Sequence, residues 1–112
     1  MFLEFLKYKN KSLYKKRTEI SYKEKAEIMK NKIIREDANK FKQLCIKDFK
    51  SNIEKGRVIT IVDFFSNVTY EFQNEISEIV LEELKKEYEN IEFSFSFRHC
   101  NNSYKGIKMV AI

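Results

Sequence analysis

Proline is absent from these 112 residues and glycine occurs only twice, at Gly56 and Gly106. The ordinary breakers of regular structure are therefore nearly missing, and element boundaries must be read from hydrophobic pattern and capping. The only cysteines, Cys45 and Cys100, lie far apart and belong to no close pair, which argues against a disulfide framework and for a reduced, cytoplasmic chain. With the one histidine, His99, they offer at most three soft ligands without metal-site spacing, so no metal and no other cofactor is expected. No apolar run approaches the ~20 residues of a membrane span. The start, Met1 to Lys7, has an early acid and no cationic lead, so neither a membrane segment nor a secretion signal is expected.

Recognised nucleic-acid motifs are also missing: there is no zinc-finger spacing, no aromatic strand motif of the RNA-recognition type and no helix pair joined by a glycine turn. His99 and Cys100 are adjacent, but neighbours in an extended segment point to opposite sides and do not form a nucleophile with its base. Asp63 falls near the C-terminal end of the first strand, where α/β proteins place ligands. Its only polar neighbours, Ser66 and Glu71, complete no motif, so it reads as a loop hydrogen-bond acceptor and the chain as non-enzymatic.

What is present is a segregation of charge. Residues 1–57 carry 17 Lys+Arg against 8 Asp+Glu, a net of +9, whereas residues 58–112 carry 5 against 9, a net of −4. A basic half is an electrostatic footprint for a polyanion and an acidic half is not. Lysine outnumbers arginine 18 to 4 beside abundant Asn and Ile, a composition common in AT-rich genomes and in small phage or mobile-element proteins. Apolar content of 43%, with ten Phe and six Tyr, supports a folded core in a single domain over residues 1–112.

Along the chain, residues 1–20 read as a basic arm or short helix. Ser21 with Glu24 is a capping-box signature, which starts a long helix over residues 21–55. Its apolar face changes partway: Tyr22, Ala26, Met29 and Ile33 form one stripe, and Ile34, Ala38, Phe41, Cys45 and Phe49 form another, rotated by about 120°. Two alternatives follow, a kink near Arg35 to Ala38 or one straight helix that meets a partner with its first half. Residues 56–112 read as a βαββ unit. Val58 to Phe65 is apolar on both faces, as a covered central strand is. Gln73 to Glu89 is a helix, begun as early as Val68 or preceded by a short strand. Ile91 to Arg98 alternates strictly, and Tyr104 to Ile112 is a last strand after Asn101-Asn102. The fold expected is α+β, a long helix packed on a three-stranded mixed sheet with a second helix, in which the first two strands pair in parallel. Burial favours a register that sets Phe93 and Phe95 against Met109 and Ile107, with all three strand phenylalanines facing the helices. That register requires a longer loop or a bulge near Gly106 rather than a two-residue turn.

Two sets of candidate binding residues emerge. Lys7, Lys9, Lys11, Tyr14, Lys15, Lys16 and Arg17, with Lys25, Lys32 and Lys50 on the long helix, combine lysine and aromatic groups as a phosphate-neutralising surface does. Lys25, Lys32, Asn39, Gln43 and Lys50 fall within an arc of about 40°. The excess of lysine over arginine favours backbone contact over base reading. Glu71, Glu75, Glu78, Glu82 and Glu89 form an acidic stripe within about 60° on the second helix, a docking strip for a basic protein. The sequence thus points first to a non-catalytic protein that contacts nucleic acid or a nucleoprotein complex through its basic half. The alternative is a phage-type inhibitor or adaptor, directed at a host nuclease or defence complex, that docks through the acidic helix or the sheet. The many aromatics also leave room for a homodimer.

Overall fold

In the computed structural model, residues 20–97 and 104–112 are described. The basic arm up to residue 19, the His99-Cys100 pair and the Asn101-Asn102 turn lie outside them. The elements are helix α1 (Tyr22–Glu54), strand β1 (Ile59–Asp63), a 3-10 turn (Tyr70–Phe72), helix α2 (Gln73–Glu87), strand β2 (Ile91–Phe97) and strand β3 (Tyr104–Ala111). The fold is α+β, as expected.

Helix α1 begins at the cap its sequence signals: the Glu24 amide donates to Ser21 Oγ at 3.1 Å. It runs unbroken through Arg35 to Ala38. Gly56 ends it, in the left-handed region at φ 76°, where glycine carries no steric penalty. The Arg57 amide reaches back to Asn52 O at 2.8 Å and the Gly56 amide to Ile53 O at 3.0 Å, satisfying carbonyls that the last turn leaves open.

The chain divides into two units, residues 1–31 and 32–112. In the first, the described residues 20–31 are the start of α1, and Ile20, Tyr22, Ile28 and Met29 are exposed. The second unit contains the core. From α1 it buries Ile34, Ala38, Phe41, Cys45, Ile46 and Phe49, the second stripe read from sequence plus Ile46. These join Ile76, Val80 and Leu84 of α2 and the strand residues Val62, Phe93, Ile107 and Met109 in one cluster. Phe41 and Phe64 meet with ring centroids 4.9 Å apart. Polar bonds fasten the same elements: Asp37 Oδ2 accepts from the Thr69 amide at 2.7 Å and from its hydroxyl, and Asn52 Nδ2 donates to Thr60 Oγ1 at 2.9 Å.

The sheet corrects two expectations. Its order is β1-β3-β2, and both pairings are antiparallel. It is therefore not a mixed sheet, and β1 is an edge strand while β3 is central. β1 and β2 still run in the same direction, but β3 occupies the gap between them. The reason lies in the faces. β2 alternates Phe with Glu92, Ser94 and Ser96, a one-sided pattern suited to an edge, and β3 offers Ile107, Met109, Val110 and Ala111 over both faces. Pairing β1 with β3 lines Thr60 and Val62 up with Met109 and Ile107 under the helices. The apolar outer side of β1, read from sequence as covered, is open: Ile59 and Ile61 are 49% and 55% exposed.

The β2–β3 register is the one burial favoured, with Phe93 opposite Met109 and Phe95 opposite Ile107. The ladder shifts between Ser96 and Phe97, so that Ser96 faces Gly106 and Phe97 faces Tyr104. Phe93 is buried, and Phe95 stacks on Tyr104 at 3.9 Å. Phe97 departs from the expectation: past the shift it is 55% exposed, tilted against the same tyrosine.

Cys45 is a free thiol with no exposed surface. Burial, with the Asp48 charge adding to it, pushes its pKa from 9.0 up to about 12. The thiol contributes its full stabilisation below pH ~9, where folded and unfolded chains are both protonated, and loses it as pH rises through about 12. In a Cys100→Ser background, reaction of Cys45 with a disulfide reagent at pH 8 should be slower than that of the urea-unfolded chain by a factor of about 10³ or more, because it waits for opening of the core. Labelling at the unfolded rate would show the site to be open.

Candidate functional site

From Lys32 onward, the outward row of α1 is Lys32, Asn39, Gln43 and Lys50, all exposed. They recur at 7, 4 and 7 residues and so return to nearly the same angle. Lys25 is exposed on the same helix within the first unit. Glu36 and Glu54 flank the row about 40° away. Between them the remaining acids are directed elsewhere: Asp37 holds Thr69, and Asp48 is half-buried beside Cys45.

This stretch of α1 and the end of α2 form a shallow groove of about 290 Å³, lined by Lys42, Gln43, Ile46, Lys47, Lys50 and Tyr88. Lys42 is neutralised within the fold. Its Nζ lies 3.2 Å from Glu83 and 2.9 Å from Glu87. The Glu87 hydrogen bond outweighs partial burial and, with Glu83, holds the ammonium pKa above 10.5. Lys47 and Lys50 are exposed, and no carboxylate lines the groove among the described residues.

The acidic stripe is shorter than its sequence spacing suggests. Glu75, Glu78 and Glu82 are exposed on α2, but Glu71 belongs to the 3-10 turn and Glu89 lies beyond the helix end at Glu87. The helix stops there because Asn90 turns the chain at φ 63°, which asparagine tolerates, to begin β2. Glu82 pairs with Lys86 one turn on, at 3.1 Å. Glu78 and Glu82, with Lys85, rim a second groove of about 200 Å³ over Leu81 and Phe95. Glu83 and Glu87, outside the stripe, are the acids that reach α1; their four-residue spacing was visible in sequence, but not which element they would meet.

No family model matches the chain, and no curated protein or solved structure is similar to it at a significant level. The residues themselves carry the reading. Asp63 acts as a turn residue: its Oδ1 accepts from the Phe65 amide at 2.7 Å, while its carbonyl accepts from Asn67 Nδ2 at 2.8 Å. No cluster of three metal-ligating side chains occurs among the described residues, and no helix there is long and apolar enough to cross a membrane. Lys7, Lys9, Lys11, Tyr14, Lys15, Lys16 and Arg17 lie outside the described residues.

Proposed function

We propose that the protein binds nucleic acid or a nucleoprotein complex in the cytoplasm, without catalysis, through phosphate contacts from its basic N-terminal half. The observation that supports this reading is the groove lined by Gln43, Lys47, Lys50 and Tyr88, where Glu83 and Glu87 are engaged with Lys42 and where Lys47 and Lys50 are exposed. Lysines beside an aromatic group allow charge neutralisation together with stacking on an unpaired base, with little preference for sequence.

Fluorescence anisotropy over a series of salt concentrations tests it. The Lys47→Glu, Lys50→Glu double variant should weaken binding to all DNA and RNA probes alike and lower the slope of log affinity against log salt by about 0.7 to 0.9 per lost contact. Reversal of Lys15, Lys16 and Arg17 should act in the same direction, and reversal of Glu75, Glu78 and Glu82 should not weaken binding. Absence of binding by the wild type at ~50 mM salt, where phosphate contacts are strongest, would overturn the reading.

The second reading, a protein-directed inhibitor or adaptor of the phage type, draws support from the groove rimmed by Glu78, Glu82 and Lys85 over Leu81 and Phe95. Its partner would present basic side chains around an apolar anchor. Recovery of one stoichiometric protein after nuclease treatment, lost when Glu78 and Glu82 are reversed, would favour it.

A further inference from the structure

Among the described residues, one edge of β1 has no strand paired with it. Hydrogen bonds run from the Ala111 amide to Val58 O and from the Phe64 amide to Lys105 O, each 2.9 Å. With Ile59 opposite Val110 and Val62 opposite Ile107, these bonds place the even-numbered residues of the strand in the bonded pairs of the β1–β3 ladder. The amides and carbonyls of Ile59, Ile61 and Asp63 therefore point away from the sheet; those of Ile59 and Ile61 and the Asp63 amide have no partner among the described residues, while the Asp63 carbonyl accepts from Asn67 Nδ2. Edge strands are ordinarily guarded by lysine, proline or a bulge. β1 reads Ile-Thr-Ile-Val-Asp, and its pairing with β3 is regular throughout. The other edge differs, since the β2 ladder ends in a register shift at Ser96 and Phe97.

On the outer face of this edge run Ile59, Ile61 and Asp63, and the exposed Arg57 precedes the strand at the next odd position. Read against a second copy in the opposite direction, the row complements itself: Arg57 meets Asp63, and Ile59 meets Ile61, twice over. We propose that two copies of this chain associate by antiparallel pairing of β1 with β1, joining the two sheets into one of six strands. The two-fold axis passes between facing Thr60 residues. The two Ile59–Ile61 pairs then fall at positions whose backbone groups point across the junction and exchange two hydrogen bonds each, whereas the Arg57–Asp63 pairs meet through their side chains, since the Arg57 amide is held by Asn52 O and the Asp63 carbonyl by Asn67. A shift of the register by one residue breaks this parity. A shift by two sets Arg57 against Phe65 or Ile61 and leaves Asp63 opposite Ile59 or without a partner, so charge selects one alignment. Arg57 is exposed and has no side-chain partner among the described residues, and the Asp63 carboxylate has its second oxygen to offer beyond the bond to Phe65. An interface of one short strand is small, and the dimer is weak and concentration-dependent.

Sedimentation in reductant, which removes any thiol cross-link, tests it at protein concentrations up to ~500 µM, suited to a weak interface. The wild type should shift toward twice the 13.5 kDa chain mass as concentration rises. Arg57→Asp alone, which sets acid against acid, and Asp63→Lys alone, which sets base against base, should each remain monomeric with an unchanged circular-dichroism spectrum. Mixed one to one, the two variants restore opposite charges in both pairs and should form a heterodimer. Ile61→Lys, which tests the apolar pair without altering the Asp63 turn, should also be monomeric. A wild type that stays monomeric throughout overturns the proposal. So does dimerisation of both charge variants at wild-type strength, or failure of two folded variants to associate when mixed.

Discussion

Replacing Gly106 with alanine should cost the fold about 3 kcal/mol, the upper end of what forcing extra volume into a packed structure usually costs. A Cβ at this position would lie 2.1 Å from Val62 O and 2.9 Å from Val62 C. Backbone, not the end of a flexible side chain, stands in the way, and it belongs to the neighbouring strand. Relief requires β1 to move off β3, and with it the pairing that buries Thr60 and Val62. Urea denaturation should show a lower midpoint at an unchanged slope. Alanine at Gly56, where a Cβ meets nothing within 4 Å, has only the φ of 76° against it and should cost about 1 kcal/mol. Equal losses at the two glycines would show that the close approach of β1 to Gly106 is not what requires glycine there.

The largest side-chain effect is expected at Phe41. The residue is 1% exposed and packs its ring on Phe64, at the meeting of α1 with the strand end. Phe41→Ala removes most of a buried aromatic side chain and leaves a cavity, at a cost of roughly 3 to 5 kcal/mol. That is a large share of the ~5 to 15 kcal/mol that holds a domain together. Phe41→Leu, which refills much of the space, should lose less than half as much. Thermal and urea unfolding of the two variants give the comparison, and a loss below about 1 kcal/mol for Phe41→Ala would mean that α1 adds little to the core.

The features legible in sequence are those governed by local chemistry or by the one-face rule of burial. Ser21 and Glu24 marked the start of α1, and Gly56 marked its end. Ile34, Ala38, Phe41, Cys45 and Phe49 identified the packed face. The alternation of Phe93 and Phe95 was enough to choose their register against Met109 and Ile107, because a slip would expose the entire row. The basic surface was legible in part. Lys32 and Lys50 lie on the exposed row as their spacing required, while Lys47, about 60° off the row, lines the groove together with Tyr88 from another element, a proximity that helical spacing alone does not show. The acidic stripe was overextended at both ends, since a 3-10 turn and the Asn90 turn, which carry no strong pattern, confine α2 to Gln73–Glu87.

The sequence by itself determined the order of the main helices and strands, the packed face of the second half of α1 and the division of charge, because capping, periodicity and composition act within a few residues. Only the tertiary structure decided which strand is central. A run apolar on both sides, such as Val58 to Val62, suits a covered strand or an open edge equally, and the choice falls to whichever partner completes the buried rows. That same choice leaves Ile59 and Ile61 on an open face, and the packing of α1 against α2 brings Lys42 to Glu83 and Glu87. Long-range pairing of this kind depends on the summed burial of the whole sheet, which no local stretch of residues encodes.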